Sequence, residues 1–156
     1  MKDKNFLKIA LKTAKESLRL GGFPAGAVIV KNGKIISKGL SLGFIKNNPT
    51  GHSESNAIRK ACKILKTSDL SGSTLYASFE PCIMCFSAAN WAKISKIVYG
   101  TKKDRYLITN GCYEGTTDIN KLNDENNKKI ELIYIPDFEK ESLELFNQWL
   151  TNLKNN

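Results

Sequence analysis

The chain has 156 residues, and we predict one domain over residues 1–156, because this length leaves little room for a second core. Hydrophobic residues make up 41% and charged residues 25% of the chain, which excludes a largely disordered protein. The formal net charge of +9 keeps an anionic partner open. Apolar runs are only a few residues long and the N-terminus is charged, so we expect no membrane partner and no secretory signal.

Apolar spacing predicts the first elements. Leu7, Leu11 and Leu18 share one face of an N-terminal helix, which Gly21 and Gly22 would end. A hairpin follows, with strands over residues 25–31 and 34–39 around an Asn-Gly pair at positions 32–33, which suits a type I′ turn.

The remaining pattern predicts alternating helices and strands. We expect helices from about residue 52, over 83–92 and over 139–153, strands over 74–79, 96–101 and 130–135, and a polar surface loop over 120–129. Strands separated by single helices pair in parallel, whereas the leading hairpin adds an antiparallel edge. The predicted fold class is α/β, with a central mixed five-stranded sheet between two helical layers.

The positive charge is concentrated near the N-terminus. Residues 1–60 contain 12 basic and 3 acidic residues, whereas residues 61–156 contain 12 of each. This distribution keeps RNA open as a partner. The alternative is that the basic side chains form the solvated face of the first helix, where they follow at steps of three and four: Lys4, Lys8, Lys12, Lys15 and Arg19.

Four cysteines are too few for a disulfide framework in a chain of this length. Cys82 and Cys85 form a Cys-x-x-Cys pair at a predicted strand-to-helix turn, where the helix end lowers thiol pKa values. Cys62 falls in the apolar row of a predicted helix, and Cys112 falls in a predicted loop with no second ligand near it in sequence. We expect reduced thiols and a cytoplasmic location.

His52, the chain's one histidine, completes a possible metal site with Cys82 and Cys85. Three protein ligands leave one position for water, as in catalytic zinc sites. Glu54, two residues after the histidine, can then act as general acid and base. Taken singly, a cysteine pair of this kind suits a redox dithiol or a structural zinc site equally well.

The sequence resembles the zinc-dependent cytidine deaminase superfamily, whose signature is His-x-Glu followed by Pro-Cys-x-x-Cys. The likeness covers roughly residues 5–101 and is greatest to the guanine deaminase and tRNA adenosine deaminase branches. The resemblance implies a cytidine-deaminase-like three-layer α/β/α fold and one zinc ion per chain held by His52, Cys82 and Cys85. It also implies proton transfer by Glu54 and a homodimer.

The resemblance further implies a set of substrate-binding residues: Phe23, Ser41, Ser53, Phe79, Trp91 and Glu114. Ser41 stands where the family usually has a base-contacting asparagine, and a serine has no amide donor. Glu114 falls close to the acidic residue with which guanine deaminases recognise the purine, although a solvent-exposed loop glutamate is the alternative. The expected substrate is a nucleobase or nucleoside, with a purine such as guanine expected first, and the alternative is a flipped anticodon adenosine of tRNA.

Overall fold

The computed structural model describes residues 2–156, in which the predicted helices and strands occur in the predicted order, together with two short helices, at residues 105–109 and 119–125, that were not predicted. The elements are α1 (Lys2–Arg19), β1 (Gly26–Lys31), β2 (Lys34–Leu40), α2 (Ser53–Leu65), β3 (Ser73–Ala77), α3 (Ile83–Trp91), β4 (Lys96–Tyr99), α4 (Arg105–Thr109), α5 (Ile119–Glu125), β5 (Glu131–Tyr134), a 3₁₀ turn (Pro136–Phe138) and α6 (Glu139–Lys154). Within the described residues, no helix is both long and apolar enough to cross a membrane.

The strands form one mixed sheet with the order β2-β1-β3-β4-β5. The strand β1 pairs antiparallel with both β2 and β3, whereas β3–β4 and β4–β5 are parallel pairs. The predicted combination of an antiparallel hairpin and parallel strands is therefore confirmed. The turn also forms as expected, since Asn32 and Gly33 both have positive φ values, of 52° and 72°.

Helices cover both faces of the sheet, because successive side chains of each strand point to opposite sides. On one face, Ala27 and Ile29 of β1 pack in a cluster with Ala57 and Ala61 of α2 and Phe86 of α3. On the other face, the alternate residues of the same strands pack against α1, in a cluster that contains Leu7, Ala10, Val28, Val30, Tyr76 and Val98. The fold is the three-layer α/β/α arrangement that the sequence predicted.

A glycine lets α2 approach the sheet closely at the end that begins with His52. A Cβ atom at Gly39 of β2 would lie 1.8 Å from the carbonyl oxygen of Ser53, so no larger residue fits there. Ser37 of the same strand donates a hydrogen bond to the Ala57 carbonyl at 2.6 Å. The first turns of α2 are therefore fixed against the sheet.

The predicted polar loop at 120–129 is wrong in its first half, because α5 covers Ile119–Glu125. The Asp118 carboxylate accepts a hydrogen bond from the Asn120 amide at 2.8 Å, which caps the helix. Ile119 and Leu122, three residues apart, pack against the core. Two apolar positions and one cap are enough for a short helix once the core is present, but they are too weak a pattern to predict it.

Part of the basic charge of α1 is paired with the acidic C-terminal segment. Lys15 lies 3.2 Å from Glu141 of α6, and Lys4 lies 2.6 Å from Asp137 of the 3₁₀ turn. Such exposed pairs contribute at most about 1 kcal/mol each. The first helix is therefore solvated and partly ion-paired, which favours the structural interpretation of its lysines.

Candidate metal centre and substrate cavity

Two helix N-termini bring the expected metal ligands together. His52 precedes the first turn of α2, and Cys82 precedes the first turn of α3, both with extended backbone angles. Cys85 lies in the first turn of α3. Because helix N-termini carry partial positive charge, both thiols lie where a thiolate is stabilised.

The ligand atoms of His52, Cys82 and Cys85 all lie within 4.8 Å of one another. The Sγ of Cys82 is 3.5 Å from Nδ1 of His52. Tetrahedral zinc with ordinary Zn–S and Zn–N bond lengths places such atoms about 3.6 Å apart. The donor set of two thiols and one imidazole therefore fits zinc in both chemistry and spacing.

The ionisation of the three groups is linked. Hydrogen bonds from Cys85 and His52 lower the pKa of Cys82. The hydrogen bond between His52 and Cys82 raises the pKa of His52. The hydrogen bond between Cys85 and Cys82, together with burial, raises the pKa of Cys85. Cys82 is therefore the thiol best disposed to ionise first.

Glu54 lies in the first turn of α2, buried beside the three ligands. Burial raises the pKa of its carboxyl group, and the charge of Cys82 adds to the effect. The Ser53 hydroxyl donates a hydrogen bond to Glu54 Oε2 at 2.9 Å. A carboxyl group with a raised pKa can hold and release a proton near neutral pH.

A cavity of about 600 Å³ opens in front of His52, Glu54 and Cys82. This volume is typical of small-molecule sites. Its other walls come from four segments: the residues before β1, the β2–α2 loop, the β3–α3 loop and the loop after α4. The full lining is Phe23, Ala25, Ser41, Gly43, Phe44, Asn47, Asn48, Pro49, Gly51, His52, Glu54, Phe79, Glu80, Cys82, Gly111, Cys112, Tyr113 and Glu114.

Four of the six predicted substrate-binding residues line this cavity. Phe23 and Phe79 form an aromatic wall with ring centroids 6.0 Å apart. Ser41 is buried in another wall, where its backbone amide donates a hydrogen bond to the Ser17 hydroxyl at 3.0 Å. Glu114 completes the set, and its Oε1 accepts a hydrogen bond from the Ile83 amide at 3.1 Å.

The other two predicted residues lie elsewhere. Ser53 is buried and is not among the residues that line the cavity, although its hydroxyl group donates a hydrogen bond to Glu54, which lines it. The structure corrects the expectation for Trp91, whose side chain is 85% exposed and does not line the cavity. Trp91 is nine residues after Cys82 along α3, and a rise of about 1.5 Å per residue carries it far from the ligands.

Several cavity residues were not predicted as site residues. Glu80 and Cys112 line the wall beside Cys82, and Phe44 lies at the mouth, where its ring centroid is 5.8 Å from that of Trp149. Trp149 and Phe146 of α6 pack behind the wall, each about 5–6 Å from Phe23 between ring centroids. The apolar spacing of α6 indicated a buried face, but no sequence pattern indicated that this face supports the cavity.

Fold and site together define a class of protein: a three-layer α/β/α fold in which one imidazole, two thiols and a buried carboxyl group meet at two helix N-termini, as in the zinc-dependent base deaminases. The model of the cytidine and deoxycytidylate deaminase zinc-binding region matches residues 1–101, and the chain therefore belongs to this family. The predictions of the family, the fold and one zinc ion are confirmed.

Curated relatives fall into two groups. The tRNA-specific adenosine deaminase of Aquifex aeolicus is 35% identical over 153 residues, which cover 97% of this chain and 95% of that protein. The guanine deaminase of Bacillus subtilis is 45% identical over 103 residues, or 65% of this chain and 66% of that one. A Buchnera aphidicola tRNA-specific adenosine deaminase is 45% identical, but the match spans only 62% of its length.

Solved structures divide in the same way. A structure from a study of A-to-I editing by tRNA:A34 deaminases has a TM-score of 0.77 at 26% identity and covers 91% of this chain and 99% of that chain. The guanine deaminase of Bacillus subtilis has a TM-score of 0.63 at 33% identity and covers 95% and 93%. The chain is thus a deaminase of the cytidine deaminase superfamily, similar to enzymes with two different substrates.

Proposed function

We propose that the protein is a zinc-dependent aminohydrolase that acts on a free purine base or nucleoside, with guanine as the first candidate. The observation that carries this proposal is the position of Glu114, whose carboxylate lines the cavity next to residues 78–82 between β3 and α3, which we call the metal-binding loop. Guanine has a ring N–H directly beside its amino-bearing carbon, whereas adenine and cytosine have an unprotonated nitrogen there. A carboxylate accepts hydrogen bonds only, so it favours guanine.

The reaction consumes water and releases ammonia, leaving an oxo group on the ring. Zinc held by His52, Cys82 and Cys85 would lower the pKa of a water molecule enough to supply a nucleophile at neutral pH. Glu54 takes one proton from the attacking water and delivers it to the ring nitrogen. It then takes the second proton, from the hydroxyl group added to the ring carbon, and delivers it to the leaving amine, which departs as ammonia. Its burial beside the ligands and its hydrogen bond from Ser53 suit it to this task.

The cavity walls suit a flat, largely apolar ring. Phe23 and Phe79 offer aromatic faces, and the α6 side chains behind them exclude water from that side. The family usually has an asparagine amide that contacts the base at the position of Ser41. In this chain that contact would be made by the serine hydroxyl group or by a water molecule. The proposal therefore assigns binding to stacking and to Glu114, with Ser41 in a lesser role.

A substrate panel tests the proposal. Ammonia release is measured with guanine, guanosine, cytosine, cytidine and adenosine, for the wild type and for Glu114→Gln. The variant keeps an acceptor for the Ile83 amide but loses the charge, so we expect kcat/KM for guanine to fall about 10–100-fold, as for a lost charged hydrogen bond. Wild-type turnover of cytosine or cytidine alone would contradict a purine substrate, and turnover of adenosine with no turnover of guanine or guanosine would contradict guanine recognition by Glu114.

The second candidate function is deamination of an adenosine in tRNA. It is favoured by the Aquifex aeolicus relative, which matches nearly the whole chain. Residues 31–66 also carry eight basic residues and one acidic residue, the buried Glu54. No ion pair occupies those basic residues in the described part of the chain. One of them, Lys46, adjoins the cavity-lining Asn47 and suits a contact with a phosphate backbone.

Two further proposals concern the assembly and the location of the protein. We propose a homodimer, because Ile64 of α2 and Trp91 of α3 expose large apolar side chains on two helices that contact each other. A sedimentation mass of 17.4 kDa, that of one chain, would contradict the dimer.

We place the single domain in the cytoplasm, because thiols that bind zinc must stay reduced.

A further inference from the structure

One buried carboxylate outside the mechanism lies between two cavities. Glu80 lines the substrate cavity and also a second cavity of about 410 Å³, whose other walls come from residues 102–109 and 116–120. No other residue among 2–156 lines both cavities. The side chain is therefore in the wall between the metal-binding loop and the segment that carries Tyr113 and Glu114.

Glu80 binds the segment that follows β4. Its Oε2 accepts a hydrogen bond from the backbone amide of Lys103 at 2.8 Å. Its own backbone amide donates to the carbonyl of Thr101 at 2.7 Å. The position two residues before the metal ligand Cys82 is thus joined to the start of the 101–117 segment by both its side chain and its backbone.

Glu80 also binds the far end of that segment. The Tyr113 hydroxyl donates a hydrogen bond to the Glu80 carbonyl at 2.7 Å, in a buried setting. The ammonium group of Lys103 lies 5.2 Å from the centre of the Tyr113 ring and donates to the carbonyl of Thr117. Glu80 therefore binds the backbone of Lys103, and the side chain of Lys103 in turn contacts the ring of Tyr113.

We propose that Glu80 is a positioning residue for the 110–117 loop, which it keeps in the place where Tyr113 and Glu114 form the cavity wall. Its effect on substrate binding rests on the proposed function, in which Glu114 contacts the base. The carboxylate suits this task because a hydrogen bond from a backbone amide to a charged acceptor is stronger than one to a neutral acceptor. Without it, the partly buried Lys103 amide loses its partner.

The test measures the position of the loop independently of catalysis. Cys112 lies in the loop and its thiol lines the cavity, whereas Cys62 lies on α2, remote from the loop in sequence and packed against the sheet core. The zinc-loaded protein is treated with N-ethylmaleimide, and peptide mass spectrometry gives the alkylation rate of each thiol. The ratio of the Cys112 rate to the Cys62 rate separates a local release of the loop from a general loss of stability.

Four variants are compared. Glu80→Met removes the acceptor at similar length, Glu80→Gln keeps an acceptor oxygen, and Tyr113→Phe removes the hydroxyl group without altering the metal-binding loop. Asp69→Val is the matched control, because the Asp69 carboxylate also accepts a backbone amide, that of Ser71 at 2.9 Å, in another part of the fold.

Glu80→Met should raise the ratio at least about tenfold and Tyr113→Phe by a smaller factor, as expected for a lost buried hydrogen bond. Glu80→Gln should restore most of the wild-type ratio, and Asp69→Val should leave it unchanged. An unchanged ratio in Glu80→Met would overturn the proposal whatever the result in Tyr113→Phe, because the Tyr113 hydroxyl binds the Glu80 backbone carbonyl and not its carboxylate. So would an equal rise of both rates in Glu80→Met.

Steady-state kinetics with guanine then separates this proposal from the proposed function. A loop that only binds the base should raise KM in Glu80→Met about tenfold while kcat stays nearly constant. A raised alkylation ratio with unchanged KM supports the role of Glu80 in holding the loop and contradicts the assignment of Glu114 to base binding. A fall in kcat alone, with an unchanged ratio, would place Glu80 in the chemistry and overturn the positioning role.

Discussion

The hydroxyl group of Ser53 donates a hydrogen bond to Oε2 of Glu54 at 2.9 Å, and both residues are buried in the first turn of α2. The bond holds the carboxyl group in one orientation beside the metal ligands. A group that is already oriented does not have to reorganise when a base enters. Adjacent residues of one helix turn therefore supply both the proton carrier and its support.

Replacement of Glu54 tests the proton carrier. In Glu54→Gln, we expect zinc content and fold to be unchanged, because Glu54 is not among the three ligand residues. Turnover should fall at least about 10²–10⁴-fold, since one carboxyl group serves every proton transfer. Ammonia release and metal analysis measure the two effects. Ser53→Ala, which loses only the supporting bond, should lose about tenfold. Near-normal turnover in Glu54→Gln would assign the proton transfers to another group.

The metal centre is tested by removing its thiols one at a time. Cys82→Ser should lose zinc and lower the free energy of unfolding together, because metal binding is coupled to folding. Cys85→Ser should behave in the same way. Cys62→Ala and Cys112→Ala are the controls and should keep one zinc ion per chain, since neither residue belongs to the ligand cluster. Full zinc occupancy in the Cys82→Ser/Cys85→Ser double variant would disprove the assignment.

The parts that sequence predicted well depend on contacts close along the chain. The hairpin follows from Asn32 and Gly33, whose backbone angles only a few residue types adopt. The metal ligands follow from short spacings, because Cys82 and Cys85 share the start of one helix and His52 begins another. The family resemblance was needed only to predict that the N-termini of α2 and α3 lie side by side in the fold.

The remaining features depend on contacts distant along the chain. The hydrogen bond from Tyr113 to the Glu80 carbonyl joins residues 33 positions apart and has no sequence pattern. Resemblance alone placed Trp91 near the substrate, but the direction of α3 places it on the surface. The acidic charges near the C-terminus have no pattern that assigns them a partner. In the fold they lie against lysines of α1, as in the pair between Lys15 and Glu141.

Acid should weaken a contact that attaches α1 to the sheet. Asp3 accepts hydrogen bonds from the Tyr76 hydroxyl at 2.6 Å and from Lys96. Burial alone would raise the pKa of Asp3, but these hydrogen bonds outweigh it and lower the pKa below the ordinary value of 3.8. A lowered pKa means that the contribution to stability is complete above pH 3.8 and is lost as pH falls through the folded-state value.

Asp3→Asn measures this contribution. The wild type should be more stable than the variant at pH 6, and the difference in unfolding free energy should shrink progressively below about pH 4. Urea denaturation at several pH values gives the difference directly. Acid-induced loss of zinc affects both proteins equally and therefore cancels. A difference that stays constant down to the lowest pH would mean that the Asp3 charge is not what stabilises the fold.

Salt dependence distinguishes the two candidate substrates. A neutral free base releases no counterions when it binds, so kcat/KM for guanine should change little between about 50 and 200 mM salt. An RNA substrate needs several lysine–phosphate contacts, and its affinity should fall with a log–log slope of about −0.7 to −0.9 per contact.

Two lysines, one beside the cavity and one on α1, provide matched variants for the test of salt dependence. Lys46 lies in the β2–α2 loop, whose Asn47 and Asn48 line the cavity, whereas Lys12 lies on α1. Turnover of guanine, adenosine and a tRNA anticodon stem-loop is measured for the wild type, Lys46→Glu and Lys12→Glu at both salt concentrations. We expect guanine turnover that is insensitive to salt and to both substitutions, because no phosphate is bound. Turnover confined to the stem-loop, lost at the higher salt and reduced more by Lys46→Glu than by Lys12→Glu, would establish the tRNA substrate instead.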